Sequence, residues 1–279
     1  MTEKKKLSFG TILFYIIPIA AISAAIFFGY LFLREYMEYK RALDEYAEIS
    51  ESYIKEHSGN GDDKKYPDGN ENESCVIVGD ADSRLNYFPE LDIDFSGLKK
   101  VNPDLACVLY IPSLEIKYPV VYSKDNEDYL HRTFEGSNNS SGSIFYDCLC
   151  EKNFKGYNTF LYGHNMKNGS MFGKLKKLQD KELSPEDRFF YIYTDNEVRK
   201  YEIFSYYQTT AGSDVYTIVS DDNAYDAFVR SCLNSSYSHG GREDIDFTHR
   251  PSVVTLSTCT GPAGGDDRFV VHGALIKIK

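Results

Sequence analysis

The chain has 279 residues, a formal net charge of −11, six Cys and 42% hydrophobic residues. That apolar share excludes a disordered chain, the acidic balance argues against a general nucleic-acid binder, and the Cys density is far below that of a disulfide scaffold. The 27 uncharged residues from Leu7 to Leu33, bracketed by Lys6 and Arg34, exclude an ordinary cytosolic protein.

Residues 1–10 form a short basic tail, and residues 11–33 supply a 23-residue apolar run rich in Ile, Ala and Phe. A transmembrane helix needs about 20 such residues and tolerates Pro18 and Gly29. A cleaved signal peptide is the competing reading, but its apolar region is shorter and ends at a small-residue site. Here Ser23-Ala24-Ala25 is followed by eight more uncharged residues, which predicts an uncleaved anchor. Lys4, Lys5 and Lys6 precede the span and Arg34, Lys40 and Arg41 follow it, so the positive-inside rule is nearly tied.

In residues 34–56, Tyr36, Tyr39, Leu43, Tyr46, Ile49 and Tyr53 recur at three- and four-residue steps. That pattern predicts a stalk helix with one weakly apolar face. Residues 57–74 are rich in Gly, Asn and Asp and read as a flexible linker. Stalk and linker together occupy 34–83, leaving 84–279 as the functional domain.

Beyond residue 84, short β-branched and aromatic runs alternate with Gly, Asn, Asp and Pro clusters. The predicted strands are Ala106–Ile111, Glu115–Tyr122, Gly142–Tyr146, Asn158–Tyr162, Val198–Thr210, Val253–Thr258 and Arg268–Ile278. The predicted helices are Phe95–Lys100, Asp125–Leu130, Met171–Leu178 and Asp222–Leu233. This spacing gives a mainly β barrel or sandwich with short helices in its connections.

No P-loop, dinucleotide fingerprint or H-E-x-x-H occurs, so nucleotide-driven and zincin chemistry lack sequence support. Chemistry gathers instead at three strand ends. Thr255-Leu256-Ser257-Thr258-Cys259 is an apolar strand ending in a thiol, and a turn-rich loop leads to Arg268-Phe269-Val270-Val271-His272-Gly273. A hairpin of this kind puts Cys259 and Arg268 at the same end of adjacent strands. Thr159-Phe160-Leu161-Tyr162-Gly163-His164-Asn165 is another apolar strand, ending in an imidazole. A thiol, an imidazole and a guanidinium suit acyl transfer: nucleophile, proton shuttle and oxyanion partner.

The segments LYGHN, TLSTC and RFVVHG resemble the signature segments of sortases, the cysteine transpeptidases of Gram-positive cell surfaces. The stretch from Asp94 to Asp104, Tyr118-Pro119-Val120-Val121, Asp125 to Leu130, Gly142-Ser143-Ile144-Phe145 and Asn165 to Gly173 follow in order and resemble class B. The resemblance covers roughly residues 92–279. It departs at Ala106-Cys107, where Gly-Trp is usual, and at Gly261, where an acidic residue often sits, so no acidic triad member is carried over.

The resemblance implies a closed eight-stranded β-barrel of sortase type with short peripheral helices. It implies catalysis by Cys259, His164 and Arg268, with Asn126, Leu130, Tyr162, Tyr216, Ser257 and Thr260 at the substrate. Cleavage after Thr in an Asn-Pro-x-Thr-x-like C-terminal sorting motif would leave a thioacyl-enzyme. An amine of a peptidoglycan precursor, or a pilin Lys in a pilus-assembling variant, would resolve it. A catalytically inactive tethered binding module is the alternative of a different class. No cofactor, metal or disulfide is expected: the spacing of Cys148 and Cys150 is tighter than in zinc fingers, and no EF-hand loop occurs. An enzyme acting at the wall lies outside the cell, which places Lys4 to Lys6 inside. Residues 1–33 carry three Lys and one Glu, a net +2, so the chain's −11 leaves −13 on the exterior part.

Overall fold

The computed structural model describes residues 9–56, 85–179, 183–185, 187–238, 245–260 and 265–279. The expected linker at 57–74, Cys75 and Gly261 lie outside the described residues.

Helix α1 runs unbroken from Phe9 to Tyr53 with Pro18 inside it. From Phe14 onward its first part presents apolar side chains outward: Phe14, Ile19, Ile26 and Phe32 are each more than 60% exposed. Among the described residues this is the one helix long and apolar enough to cross a membrane.

The second part of α1 does not stand free as the stalk reading expects. Ala42, Tyr46 and Ile49 are buried, and Tyr39 and Tyr53 pack partly against the same core, whereas Tyr36 and Leu43 remain exposed. The apolar stripe thus finds a protein partner rather than solvent. Directly after α1, strand β1 (Ile54–Glu56) pairs antiparallel with β2 (Leu91–Ile93). Helix α2 (Phe95–Val101) follows, capped by Asp94, whose carboxylate accepts from the Gly97 amide at 2.8 Å. A Cβ at Gly97 would meet the Tyr53 ring at 2.5 Å, so the end of α1 seats against α2 only because that position is Gly.

The remaining strands are β3 (Leu105–Ile111), β4 (Ile116–Tyr122), β5 (Ile144–Tyr146), β6 (Asn158–Tyr162), β7 (Phe189–Tyr193), β8 (Val198–Thr210), β9 (Val253–Cys259) and β10 (Asp267–Ile278). They close into an eight-stranded barrel in the order β10-β8-β7-β3-β4-β5-β6-β9. Closure removes exposed strand edges. Two neighbouring pairs, β4 with β5 and β6 with β9, are parallel; the other pairs are antiparallel. Helix α3 (Asp222–Ser235), N-capped by Asp221, covers β8 with Tyr225, Phe228, Val229 and Cys232 buried.

Local chemistry trims the predicted elements. Glu115 and Gly142 adopt positive φ (51° and 55°), so β4 and β5 start at Ile116 and Ile144. Asp125 accepts from the amides of Glu127 and Asp128, which shortens the expected 125–130 helix to a 3-10 turn, Asp128–Leu130. Met171, at φ 52°, delays the next helix, which becomes a 3-10 turn, Leu175–Gln179.

Ile49 is 1% exposed at the centre of the seam between α1 and the barrel. Ile49→Ala is expected to cost about 2–4 kcal/mol, as a buried truncation leaves a cavity. Denaturant unfolding checks this; a loss below about 0.5 kcal/mol, the scale of surface substitutions, would mean that α1 is not docked.

Candidate active site

The site is built where β9 is held between β6 and β10. In the parallel β6–β9 ladder Tyr162 faces Ser257, and the Gly163 amide donates to the Ser257 carbonyl at 3.2 Å. In the antiparallel β9–β10 ladder Cys259 is the direct partner of Arg268, as the hairpin reading requires. The Thr260 amide donates to the Asp267 carbonyl at 2.9 Å and extends that ladder past the thiol.

Gly163 sets the turn that delivers His164. A Cβ there would lie 2.4 Å from Ile144 Cδ1 and 2.8 Å from Phe172 Cδ2, so a side chain would displace packed core. The carbonyl of His164 accepts from the Phe172 amide at 3.0 Å, which closes the loop after β6 back on itself.

These elements enclose a cavity of about 310 Å³. Cys259, His164 and Arg268 all line it. So do Asn126, Leu130, Tyr162, Tyr216 and Ser257 of the expected substrate set. Thr260 is not among the lining residues. It is 4% exposed, because its place one residue beyond Cys259 turns it into the packed base of the hairpin. Phe145, Gly163, Ala211 and Thr258 also line the cavity. Small or apolar, they carry no chemical signature in the sequence.

The polar walls are braced from behind. Tyr216 and Ser257 share a hydrogen bond of 2.7 Å, and the Tyr162 hydroxyl donates to Asp147 at 2.7 Å. The side-chain oxygen of Asn126 accepts from the Cys148 amide at 3.0 Å, leaving its amide NH2 for the cavity. These bonds make the walls rigid before any ligand arrives, which lowers the ordering cost of binding.

The Nε2–H of His164 donates to the Leu130 carbonyl at 2.8 Å. This assigns the proton of the neutral ring to Nε2 and leaves Nδ1 with the lone pair. Burial pushes the His164 pKa below its ordinary value; the Leu130 bond opposes the shift and His131, with ring centroids 6.4 Å apart, adds to it. His164 is therefore neutral at rest near pH 7.

Among the described thiols, Cys107, Cys150 and Cys232 are buried, and desolvation raises the pKa of each, to about 12 for Cys150 and Cys232. Such groups are inert structural thiols. Cys148 is exposed on the loop behind Asn126, and Cys259 is the thiol that lines the cavity. The Arg268 guanidinium donates from one terminal nitrogen to the carbonyls of Gly265 and Asp267 at 2.8 and 2.9 Å, which leaves the rest of its fork for a ligand. Among the described residues no group of three His, Cys, Asp or Glu side chains is arranged to hold a metal.

A closed barrel presenting a thiol, a neutral imidazole and a guanidinium to one cavity has the architecture of a cysteine acyltransferase. The Sortase domain family model matches residues 109–276, more than half of the chain. Sortase B of Listeria monocytogenes is 32% identical over 203 residues, spanning 72% of this chain and 81% of that protein. Sortase B of Staphylococcus aureus is 30% identical over 188 residues, spanning 66% and 75%. Among solved structures, sortase B from B. anthracis in complex with AAEK1 superposes with a TM-score of 0.64 at 30% identity, covering 87% of this chain and 99% of that one. The Staphylococcus aureus sortase B–substrate complex superposes with a TM-score of 0.60 at 28% identity, covering 66% and 84%. The chain belongs to the sortase family. It is a cysteine transpeptidase of the sortase B type, a class that acts on proteins bearing sorting motifs.

The other histidine of the signature strands has a different fate. His272 is fully buried against Phe204, Tyr207 and Phe228; its Nδ1 is 2.9 Å from Thr255 Oγ1 and its Nε2 has no partner. Burial depresses its pKa from 6.5 to about 3. The unfolded chain therefore binds a proton that the folded chain refuses. The stability held above pH 6.5 is lost as pH falls from 6.5 toward 3, by on the order of 5 kcal/mol in total. In denaturant unfolding at a series of pH values, His272→Gln is expected to lose about 1.4 kcal/mol less per pH unit than the parent across that window. Parallel curves would contradict this.

Proposed function

We propose that the protein cleaves a C-terminal sorting motif of the Asn-Pro-x-Thr-x kind after Thr and transfers the Thr carbonyl to an amine of a peptidoglycan precursor. The observation that carries this reading is the convergence of Cys259, His164 and Arg268 on one cavity.

The steps follow from what each group can do. Cys259 Sγ attacks the Thr carbonyl while His164, neutral at rest, takes the thiol proton at Nδ1. The tetrahedral oxyanion is met by Arg268, whose charge is permanent and whose fork reaches two oxygens. His164 returns the proton to the leaving amine, the C–N bond breaks, and a thioester to Cys259 remains. The incoming amine loses its proton to His164 as it attacks, and the thiolate leaves. Water in place of the amine gives slow hydrolysis.

Asn126 and Leu130 form the wall toward the first residues of the motif, and Tyr162, Tyr216 and Ser257 flank the scissile Thr. Thr260 acts through the hairpin base. The first part of α1 is a membrane anchor with the N-terminus inside, residues 1–10 as the cytoplasmic tail and the barrel outside the cell. An exterior site fits the secreted clients and the wall-side acceptor that the reaction requires.

The test is an assay of the full chain with peptides of varied sorting motif, with and without an amine acceptor. Cleavage accelerated by the amine and abolished by Cys259→Ala is expected. Arg268→Lys is expected to lower kcat/KM about 100-fold or more, the scale of a lost oxyanion donor, because an ammonium lacks the planar fork. Cleavage that survives Cys259→Ala, or an Arg268→Lys variant near the parent rate, would overturn the assignment. A pilin Lys peptide preferred over peptidoglycan amines would assign the enzyme to pilus assembly instead.

A further inference from the structure

The bond that orients His164 ends on a backbone carbonyl, that of Leu130. What fixes that carbonyl is not a strand. Leu130 ends the 3-10 turn Asp128–Leu130, and the irregular segment that follows it to β5 is held by its own turns and by α1, where Glu45 accepts from the Glu135 amide and the Glu38 carbonyl accepts from Asn139. The Tyr46 hydroxyl donates to the Gly142 carbonyl at 2.8 Å and lies 3.2 Å from Ser143 Oγ. Ser143 in turn donates from Oγ to the Arg132 carbonyl at 2.8 Å and from its amide to the Tyr129 carbonyl at 2.9 Å. Gly142 sits against the Leu130 carbonyl itself: a Cβ at Gly142 would lie 2.6 Å from that oxygen.

Tyr46 is also linked to the backbone of His164 through Tyr118 and the loop at Met171 and Phe172. Its ring meets Tyr118 edge-on at 5.3 Å. The Tyr118 hydroxyl accepts from the Met171 amide at 3.2 Å, and the neighbouring Phe172 amide donates to the His164 carbonyl. One buried phenol, 7% exposed, thus braces both the acceptor of the imidazole and the backbone that carries it. Nothing in the chemistry of the cavity requires a Tyr at this distance.

We propose that Tyr46, on the helix that carries the apolar span, is a positioning residue for His164, acting through the 129–143 segment and through Tyr118. This rests on the reading of His164 as the proton shuttle. The consequence is that anchoring and catalysis share one structural element. The docked part of α1 is required for the imidazole to meet Cys259 in the productive orientation, not only for tethering.

The environment of the ring makes the proposal readable by titration. The His131 ring lies 6.4 Å from that of His164, and Cys259 of β9, Arg268 of β10, Tyr162 and Tyr216 line the cavity that His164 also lines. The Leu130 bond favours the charged ring, while burial and His131 oppose it. Loosening the carbonyl therefore moves the titration of His164 to lower pH, because the one favourable contribution is lost.

The experiment uses the full chain in detergent micelles and compares the parent with Tyr46→Phe, which keeps the ring and removes only the hydroxyl. The His164 ring signal is followed by NMR across pH, assigned by its disappearance in His164→Gln, alongside kcat and KM on a cleaved sorting peptide. A lower titration midpoint, with kcat reduced about tenfold and KM within about twofold, is expected for a displaced shuttle in an intact cavity. Gly142→Ala, which crowds the Leu130 and Tyr129 carbonyls and shifts the acceptor of the Tyr46 hydroxyl while every α1 side chain is kept, is expected to move the titration in the same direction. A His164 midpoint unchanged in Tyr46→Phe overturns the proposal, whatever the activity, since a purely structural role alters the folded fraction and not the titration of folded molecules. Activity retained in His164→Gln would instead overturn the proton-shuttle reading, and the NMR titration would still decide whether Tyr46 positions the ring.

Discussion

The register of β9 is the constraint on which the rest of the site depends. On one side β9 pairs in parallel with β6, Tyr162 against Ser257; on the other it pairs antiparallel with β10, Cys259 against Arg268. These two ladders bring residues separated by nearly a hundred positions to one barrel end. A slip of one residue would turn the Cys259 thiol to the opposite face and place core residues in the cavity. Leu256, Phe269 and Val271, each 0% exposed, oppose such a slip because they would have to leave the core. The stability of the barrel and the geometry of the site are the same set of contacts.

Burial then divides the chemistry among like groups. Cys107, Cys150 and Cys232 are held as thiols by desolvation, while Cys259 opens onto the cavity. His272 and His164 both lie near signature strands, but His272 is sealed in an aromatic cluster and His164 keeps one nitrogen free. The protein needs no unusual residue to make a reactive site. It needs a strand end that stops where the core stops. The docked half of α1 extends this logic, since the segment after Leu130 is held by its own turns and by bonds to α1, from the Tyr46 hydroxyl, the Glu45 carboxylate and the Glu38 carbonyl.

Much of the barrel was legible in the sequence because its strands are bounded by turn chemistry. β6 and β8 fall on their expected limits, and Cys259 and Arg268 face each other as the hairpin demands. β7, the Phe-Phe-Tyr-Ile-Tyr run at Phe189–Tyr193, was not among the predicted strands. All five of its residues are buried, so it has no alternation to betray it, although the aromatic and β-branched run was itself a usable signal. The stripe on residues 34–56 was visible, but its burial was not: a helix face that is only weakly apolar reads alike as a stalk and as a docked element. The 2.8 Å contact from His164 to Leu130 was hidden for a deeper reason. The resemblance singles out Leu130, which does line the cavity, yet its second contribution is a backbone carbonyl, and backbone acceptors leave no mark on residue identity. Thr260 shows the reverse, a polar residue next to Cys259 that is packed into the hairpin, its amide bonded to the Asp267 carbonyl.

The central claim is that a thioester forms at Cys259 and nowhere else. It is tested most directly by mass spectrometry of the full chain, incubated with a cleavable sorting peptide in the absence of any amine and then digested. The account predicts a mass increase equal to the acyl fragment ending in Thr on the fragment containing Cys259, removed on addition of an amine. An adduct on Cys148, the exposed thiol behind Asn126, or turnover of the peptide with no covalent adduct at all, would contradict it.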